Sequence, residues 1–452
     1  MPPLVFGTQS YQHESLPLSA QRMVNCYLEP GPPAAKTPAA VVCAFGIEDY
    51  LTVGSGPLRA GIRVNKIVYV VSGTNLYQIV EDVPTLCGSI PGNGPVFMES
   101  DGTHLLIAVG GPTYIWNGVT LTQITDPNFP GYVWMTYLDG YFIGGVGDGK
   151  FYINHTAFDP TAWNALDFAS TESGPDDILG AIVDHREVFF GGRQKFEVWY
   201  NSGSADFPLT RTASGYMEIG LASKYGLVKS DNSVFFPASD GTFRRVNGYT
   251  PARISTTAIE QAIAKMANQE CIGHSWIENG HSMVGWTYDE RTFIYDISTQ
   301  LWHERESYGM DNWRAAFVLR GPNMTYVGDA HSNRLGILDS NTFMEWDSQL
   351  VSSAVSPSTP NVPHASLELE YETGVGTLDG QGVNPKVMLQ YSEDGGRTWS
   401  NEIWLPLGQR GDFKRKALCN RLGKPRLGNR VYRESVSDPV RRTLIQALLN
   451  GP

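Results

Sequence analysis

The sequence predicts an all-β protein: a β-propeller of six or seven blades with a smaller C-terminal β-rich module. The first observation is a repeating unit, an apolar strand, a small polar or glycine turn, then an aromatic strand. Its plainest copy is Ile67-Val68-Tyr69-Val70-Val71, the turn Ser72-Gly73-Thr74-Asn75, then Leu76-Tyr77-Gln78-Ile79. Copies with first residues at 68, 105, 141, 188, 234, 283 and 325 are spaced 37, 36, 47, 46, 49 and 42 apart. Strand pairs at that period mark propeller blades of four strands each. The second observation is composition: 48 Gly let strands turn sharply, and 51 aromatics (11 Trp, 21 Tyr, 19 Phe) fill the space between blades. The third is a Ser- and Pro-rich crossing near residue 350, after which the repeat stops.

In chain order, residues 1–60 are proline-rich and read as an extended N-terminal arm of the kind that completes a blade or crosses to a neighbour, with strands at Val41–Phe45 and Ile62–Val64. Residues 61–349 hold the propeller. One helix interrupts it: Thr257 and Glu260 are spaced as a capping box, and Ile259, Ile263 and Met266 share one face. Residues 350–363 read as a linker. Residues 364–452 form the C-terminal β module, opened by the strict alternation Leu367-Glu368-Leu369-Glu370-Tyr371. A hairpin follows around Asp394-Gly395-Gly396, and Thr443–Leu448 fits either a strand or a helix begun by Ser437 and Pro439.

At 452 residues the chain exceeds one ordinary core, and 18% charged residues favour burial or large interfaces over disorder. No apolar run approaches the roughly 18 residues of a membrane helix, so no membrane insertion is expected. The start, Met1 to Gly7, lacks the pattern of a signal peptide. Cys26, Cys43, Cys87, Cys271 and Cys419 are scattered, with no CxxC, and read as reduced thiols in a protein made in the cytoplasm. The net charge of −12 is uneven. Residues 386–452 carry thirteen Lys and Arg against six Asp and Glu; the rest carries 21 against 40. Such a chain should not coat nucleic acid over its whole surface, but its basic end can meet an acidic partner or an acidic body in another copy.

Four segments invite a chemical reading. Ser392-Glu393-Asp394-Gly395-Gly396-Arg397-Thr398-Trp399 resembles the Asp-box of sialidases, in which Ser, Asp, Gly, Thr and Trp brace a hairpin turn. The box occurs once, outside the repeats, with no positioned acid and nucleophile of a glycosidase. It is assigned a structural turn: Ser392, Asp394, Gly396, Thr398 and Trp399. Gly144 to Lys150 superficially meets GxxxxGK, but Phe151 stands where the Mg²⁺-holding hydroxyl belongs and a strand follows. His274, Glu278 and His281 match no zinc spacing. Trp302-His303-Glu304-Arg305 puts His303 and Arg305 on one strand face and Glu304 on the other, as in a blade-edge hydrogen-bond cluster. No catalytic set, metal site or cofactor is expected. Arg410, Lys414, Arg415, Lys416, Arg421, Lys424, Arg426 and Arg430 form a basic run. Its aromatics are too sparse for base stacking, so protein docking is favoured over DNA contact.

Thr292 to Arg305, with Tyr295-Asp296 and Trp302-His303-Glu304-Arg305, resembles a blade of the packaged-DNA stabilisation proteins of short-tailed bacteriophages. Ala20-Gln21-Arg22-Met23-Val24-Asn25-Cys26-Tyr27-Leu28-Glu29 is similar to that family's opening, with Cys26 where its usual Leu stands. Tyr391 to Trp399, Leu407 to Gly411, Asn420 to Gly423 and Ser437-Asp438-Pro439 resemble phage tail proteins more broadly. The resemblance implies a structural tail hub or nozzle in the virion, made and assembled in the host cytoplasm, and not an enzyme. It implies a homo-hexameric ring below the portal and its adaptor. The ring would bind tail fibres or spikes and a plug or needle, and pass double-stranded DNA without sequence-specific contact. The rival is a glycan-binding or sialidase-like propeller acting on host-surface polysaccharide.

Overall fold

The computed structural model describes residues 4, 6–171, 174–321, 323–426 and 430–450. Among them, five separate four-stranded antiparallel sheets follow one another along the chain, and two further four-stranded antiparallel units are parts of larger sheets, the last closed by Gly46–Thr52 from the N-terminal side. The innermost strand of each touches those of its neighbours, and Ala315–Arg320 of the seventh touches Leu58–Val64 of the first, so the sheets close into a ring. The protein is a seven-bladed propeller. Each repeat seen in the sequence supplies the second and third strands of one blade. Val68 pairs with Ile79 in the first, Leu106 with Ile115 in the second, and Val327 with Gly336 in the seventh.

Aromatic side chains fill the gaps between blades. Phe151 stacks on Phe190 at 4.3 Å between blades three and four, and Phe243 on Trp286 at 4.2 Å between five and six. Buried indoles also donate across these seams, Trp134 to the Ile178 carbonyl at 3.0 Å and Trp286 to that of Gly226 at 2.8 Å. Each of these two indoles thus brings apolar area and satisfies its own buried donor. Where a ring lies flat on a strand, only glycine fits: a Cβ on Gly144 would sit 2.5 Å from the Tyr132 ring.

The helix spans Thr257–Ala264 and buries Ala258, Ile259 and Ile263 against blades five and six. The capping box is a correction. The N-cap is Thr256, whose side chain makes no cap bond, and Glu260 instead accepts from Arg253 Nε at 2.7 Å and Ser255 Oγ at 2.6 Å. The nearby guanidinium outcompetes a backbone amide for the carboxylate.

The residues 1–60 are not an extended arm, and this too is a correction. Gly46–Thr52 is the outer strand of blade seven, antiparallel to Arg334–Asp339 with Ile47 opposite Leu338. Met23–Val24, Cys26–Pro30 and Ala39–Cys43 belong to the C-terminal module, which is a two-sheet sandwich. One sheet orders Cys26–Pro30, Ala39–Cys43, Thr443–Leu449, His364–Tyr371 and Ala417–Gly423. The other orders Met23–Val24, Ser352–Val355, Val431–Val436, Lys386–Ser392 and Ile403–Pro406, and continues blade six through the parallel pair Val24 and Glu304. Leu367, Leu369, Val387, Leu389, Tyr432 and Leu444 form the core between them.

The expected linker 350–363 is likewise corrected. Ser352–Val355 is an interior strand, and Thr359 N donates to the Arg430 carbonyl at 2.8 Å. The segment's low charge reflects burial, not freedom. Thr443–Leu449 is a strand. These assignments redistribute the charge. Residues 46–347 carry nineteen Lys and Arg against 34 Asp and Glu, and the two remaining chain portions carry fifteen against twelve. The propeller is strongly acidic and the sandwich weakly basic.

Candidate functional site

The box hairpin follows strand Lys386–Ser392. Asp394 Oδ1 accepts from Ser392 Oγ at 2.7 Å and from the amides of Arg397 and Thr398 at 2.9 Å each. Its Oδ2 accepts from Thr398 Oγ1 at 2.6 Å. The Ser392 and Thr398 hydroxyls, then the turn amides, hold its carboxyl well below the usual carboxylate range. Both oxygens are committed to the turn. Gly395 and Gly396 have φ of 76° and 102°, which a side chain rarely tolerates. The turn packs on the N-terminal segment, since a Cβ on Gly396 would lie 2.9 Å from that of Ala20. Trp399 carries the Arg433 guanidinium over its face at 4.4 Å.

Arg410, Lys414, Arg415 and Lys416 lie between Ile403–Pro406 and Ala417–Gly423, the terminal strands of the two sandwich sheets; Arg421 is on the second of these strands, and Lys424, Arg426 and Arg430 follow it. Arg410, Lys414, Arg415, Lys416, Arg421, Lys424 and Arg426 are exposed. Arg415 pairs with Asp412 at 3.1 Å and Lys416 with Glu368 at 2.9 Å. Arg410 and Lys414 have no ion pair among the described residues. Phe413 in the loop and Trp404 on the strand before it are 75% and 53% exposed, and Lys386 Nζ lies 6.0 Å over the Trp404 ring. Arg430 is a correction to the docking set. It is buried, pairs with Glu393, donates to the Leu422 carbonyl at 2.7 Å and lies over Tyr391 at 4.7 Å. Such a guanidinium fixes the sandwich and cannot reach a partner.

Trp302-His303-Glu304-Arg305 lies at the joint between propeller and sandwich. Glu304 Oε2 receives both Arg22, from the sandwich side, and Arg291, each through Nε at 3.0 Å and Nη2 at 2.7 Å. Burial opposes its charge, but those two guanidiniums win and lower it to about 2. Arg305 reaches the Phe45 carbonyl, approaches Glu278 at 3.4 Å, and lies over Trp313 at 4.5 Å. His281 bridges Asp296 at 2.7 Å and Glu29 at 2.8 Å, and the bond to Asp296 leads in raising its pKa to about 9. Burial lowers His303 and His274 to about 3, so both are neutral. Sequence reasoning placed a cluster at the blade edge. It missed Arg22, Glu29 and Phe45 as partners, because nothing local ties residues 22–45 to residues 278–305.

The remaining segments are structural. Gly144 to Lys150 is a hairpin turn in which Asp148 accepts from the Lys150 amide at 3.0 Å. No group of three or more His, Cys, Asp or Glu positioned to hold a metal occurs among the described residues. The propeller axis is a cavity of about 370 Å³ lined by all seven inner strands. Tyr225 narrows it, stacking on Phe97 at 4.8 Å and donating to the Pro95 carbonyl at 3.1 Å. Glu99, the one carboxylate among the described residues of that lining, is pushed up to about 8 by burial.

Residues 2–343 match the family model described as "Bacteriophage P22 Gp10, beta-propeller", and residues 348–450 match "Bacteriophage P22 Gp10, beta-sandwich". No curated protein matches the chain. Similar solved structures include the computationally designed Ika8 protein, at 12% identity and TM-score 0.39, covering 64% of this chain and 99% of that one. The Neurospora crassa Pan2 WD40 domain is 9% identical over 63% of this chain and 90% of that one, with TM-score 0.42. The extracellular domain of a putative hybrid two-component system from B. thetaiotaomicron is 11% identical with TM-score 0.46. It aligns with 66% of this chain, which spans only 40% of its length. These likenesses are too low to add to the argument.

Proposed function

The chain belongs to the bacteriophage P22 Gp10 family of structural phage tail proteins, and on that footing we propose that it is the tail nozzle. Several copies form a ring that continues the DNA channel below portal and adaptor. The ring retains the packaged genome and holds the fibres or spikes and the plug. The observation that carries this reading is that both domains match the family in order, over 2–343 and 348–450. The geometry supports it in two ways. An acidic propeller gives duplex DNA little to bind, because cationic side chains on phosphate are what make such contacts strong. A cavity of about 370 Å³ cannot pass a duplex, so the DNA path runs between copies and not through a propeller. The glycosidase reading loses its strongest feature, since both Asp394 oxygens are spent on the turn.

The test is a phage genome with this coding sequence deleted. Particles that fill with DNA should then lose it to nuclease and lack fibres, and supplying the protein should restore both. Particles that keep nuclease-resistant DNA and complete tails without it would sink the reading.

A further inference from the structure

Two sets of exposed apolar side chains lie at separate places on the molecule, the first with mainly acidic neighbours and the second with mainly basic ones. The first is the outer hairpin of blade one. Val83–Ser89 is the terminal strand of its sheet, so one row of its backbone groups faces outward unpaired. Val80, Val83 and Leu86 are 43%, 61% and 58% exposed, three large apolar side chains within seven residues. The turn between its strands is Glu81-Asp82, and Tyr50 of the adjoining outer strand bonds Asp82, which brings Glu48 and Asp49 to the same edge. Glu48 and Glu81 are exposed and have no ion pair among the described residues. The second patch is the 407–416 loop of the sandwich, where Phe413 is exposed in one loop with Arg410 and Lys414; on the strand leading into that loop Trp404 is exposed too, with Lys386 Nζ 6.0 Å over its ring.

We propose that these patches are the two halves of one contact between copies of this chain. The acidic blade-one hairpin of one copy docks on the basic 407–416 loop of the next. The proposal rests on the ring reading above and names its surfaces. Large apolar side chains inside a charged rim are the anatomy of a protein interface. Opposite rims steer the two together and penalise like-with-like docking. Because the halves are different surfaces, the contact is head-to-tail and repeats from copy to copy, as ring closure requires. A single copy leaves both patches in water, along with four uncommitted charges.

The experiment measures self-association of the full-length chain by sedimentation at several concentrations. Arg410→Glu with Lys414→Glu should weaken association on the order of tenfold. Glu48→Lys with Glu81→Lys should do the same. Combining all four changes should restore it to near the parent level. Leu86→Lys should weaken it without rescue by either charge set. All five positions are exposed, so unchanged melting checks the fold of each variant. Association unaffected by either reversed pair, or no recovery in the combination, overturns the contact. So does a basic-side reversal that abolishes binding to naked duplex DNA while self-association stays intact. A chain that is monomeric at every concentration also overturns it. In that case the deletion phage still decides the tail reading separately.

Discussion

The propeller and the sandwich use the same strand chemistry but recruit it over very different lengths of chain. In blades one to six every strand pairs with its sequence neighbour, and the repeat of hairpins is what makes the fold readable. The sandwich is assembled from both ends of the chain. Met23–Val24 lies between blade six and Ser352–Val355, and the amide of Arg442 meets the sulfur of Cys43 across 399 positions. Local pairing costs little loop entropy; joining the ends costs far more and is reached late. The difference teaches that a domain can be compact in space while no single window of sequence holds all of its strands.

The largest effect should come from removing residues 1–45. This takes three strands out of the sandwich and leaves Gly46–Thr52 to close blade seven. Limited proteolysis should then cut freely within 348–450 while the propeller resists, and calorimetry should lose one transition. A sandwich that stays resistant would mean its halves are less dependent on each other than the sheet order implies.

Next is Glu304→Gln, which leaves Arg291 without its carboxylate at the joint, while Arg22 keeps Glu306. Removing one partner of a buried pair costs about 3–5 kcal/mol, read by denaturant unfolding. Because one arginine comes from each domain, both transitions should fall together. Asp394→Ala should act more locally. It strips the turn amides and hydroxyls of their acceptor, so the sandwich transition should drop while the propeller transition holds. Equal movement of both would place the box at the joint instead.

The smallest effect is an alkaline one. His281 is raised in the folded state, so its contribution is complete below the unfolded imidazole value of about 6.5. It is lost as pH rises through about 9. Between pH 8 and 10 the joint should loosen, seen as faster amide exchange in His281–Thr287, and His281→Gln should flatten that dependence.

How much was legible follows the same division. The seven repeats marked the second and third strands of every blade, because apolar–turn–aromatic pairs are local. The inner strands were fainter: Val228–Ser230 is three residues long and Phe97–Ser100 four. The arm and linker were misread for one reason. Pro- and Ser-rich stretches look like free chain, and nothing in Ser352–Val355 says that Met23 pairs with Ala354. The box and most of the basic run were visible as residues. Arg430 was not separable from its neighbours, since its burial depends on Glu393, 37 positions away.

Chain entry to and exit from the propeller lie side by side. Glu345 pairs in parallel with Ile47, and the Trp346 amide donates to the Ile47 carbonyl at 2.7 Å. A pull on either sandwich strand leading into the neck is therefore passed directly to the other and never travels round the blades. The ring hangs outside the load path. Tension applied along those two chain segments would be borne by the sandwich and its joint, and only a load applied at a blade, such as the outer hairpin of blade one, would reach the propeller.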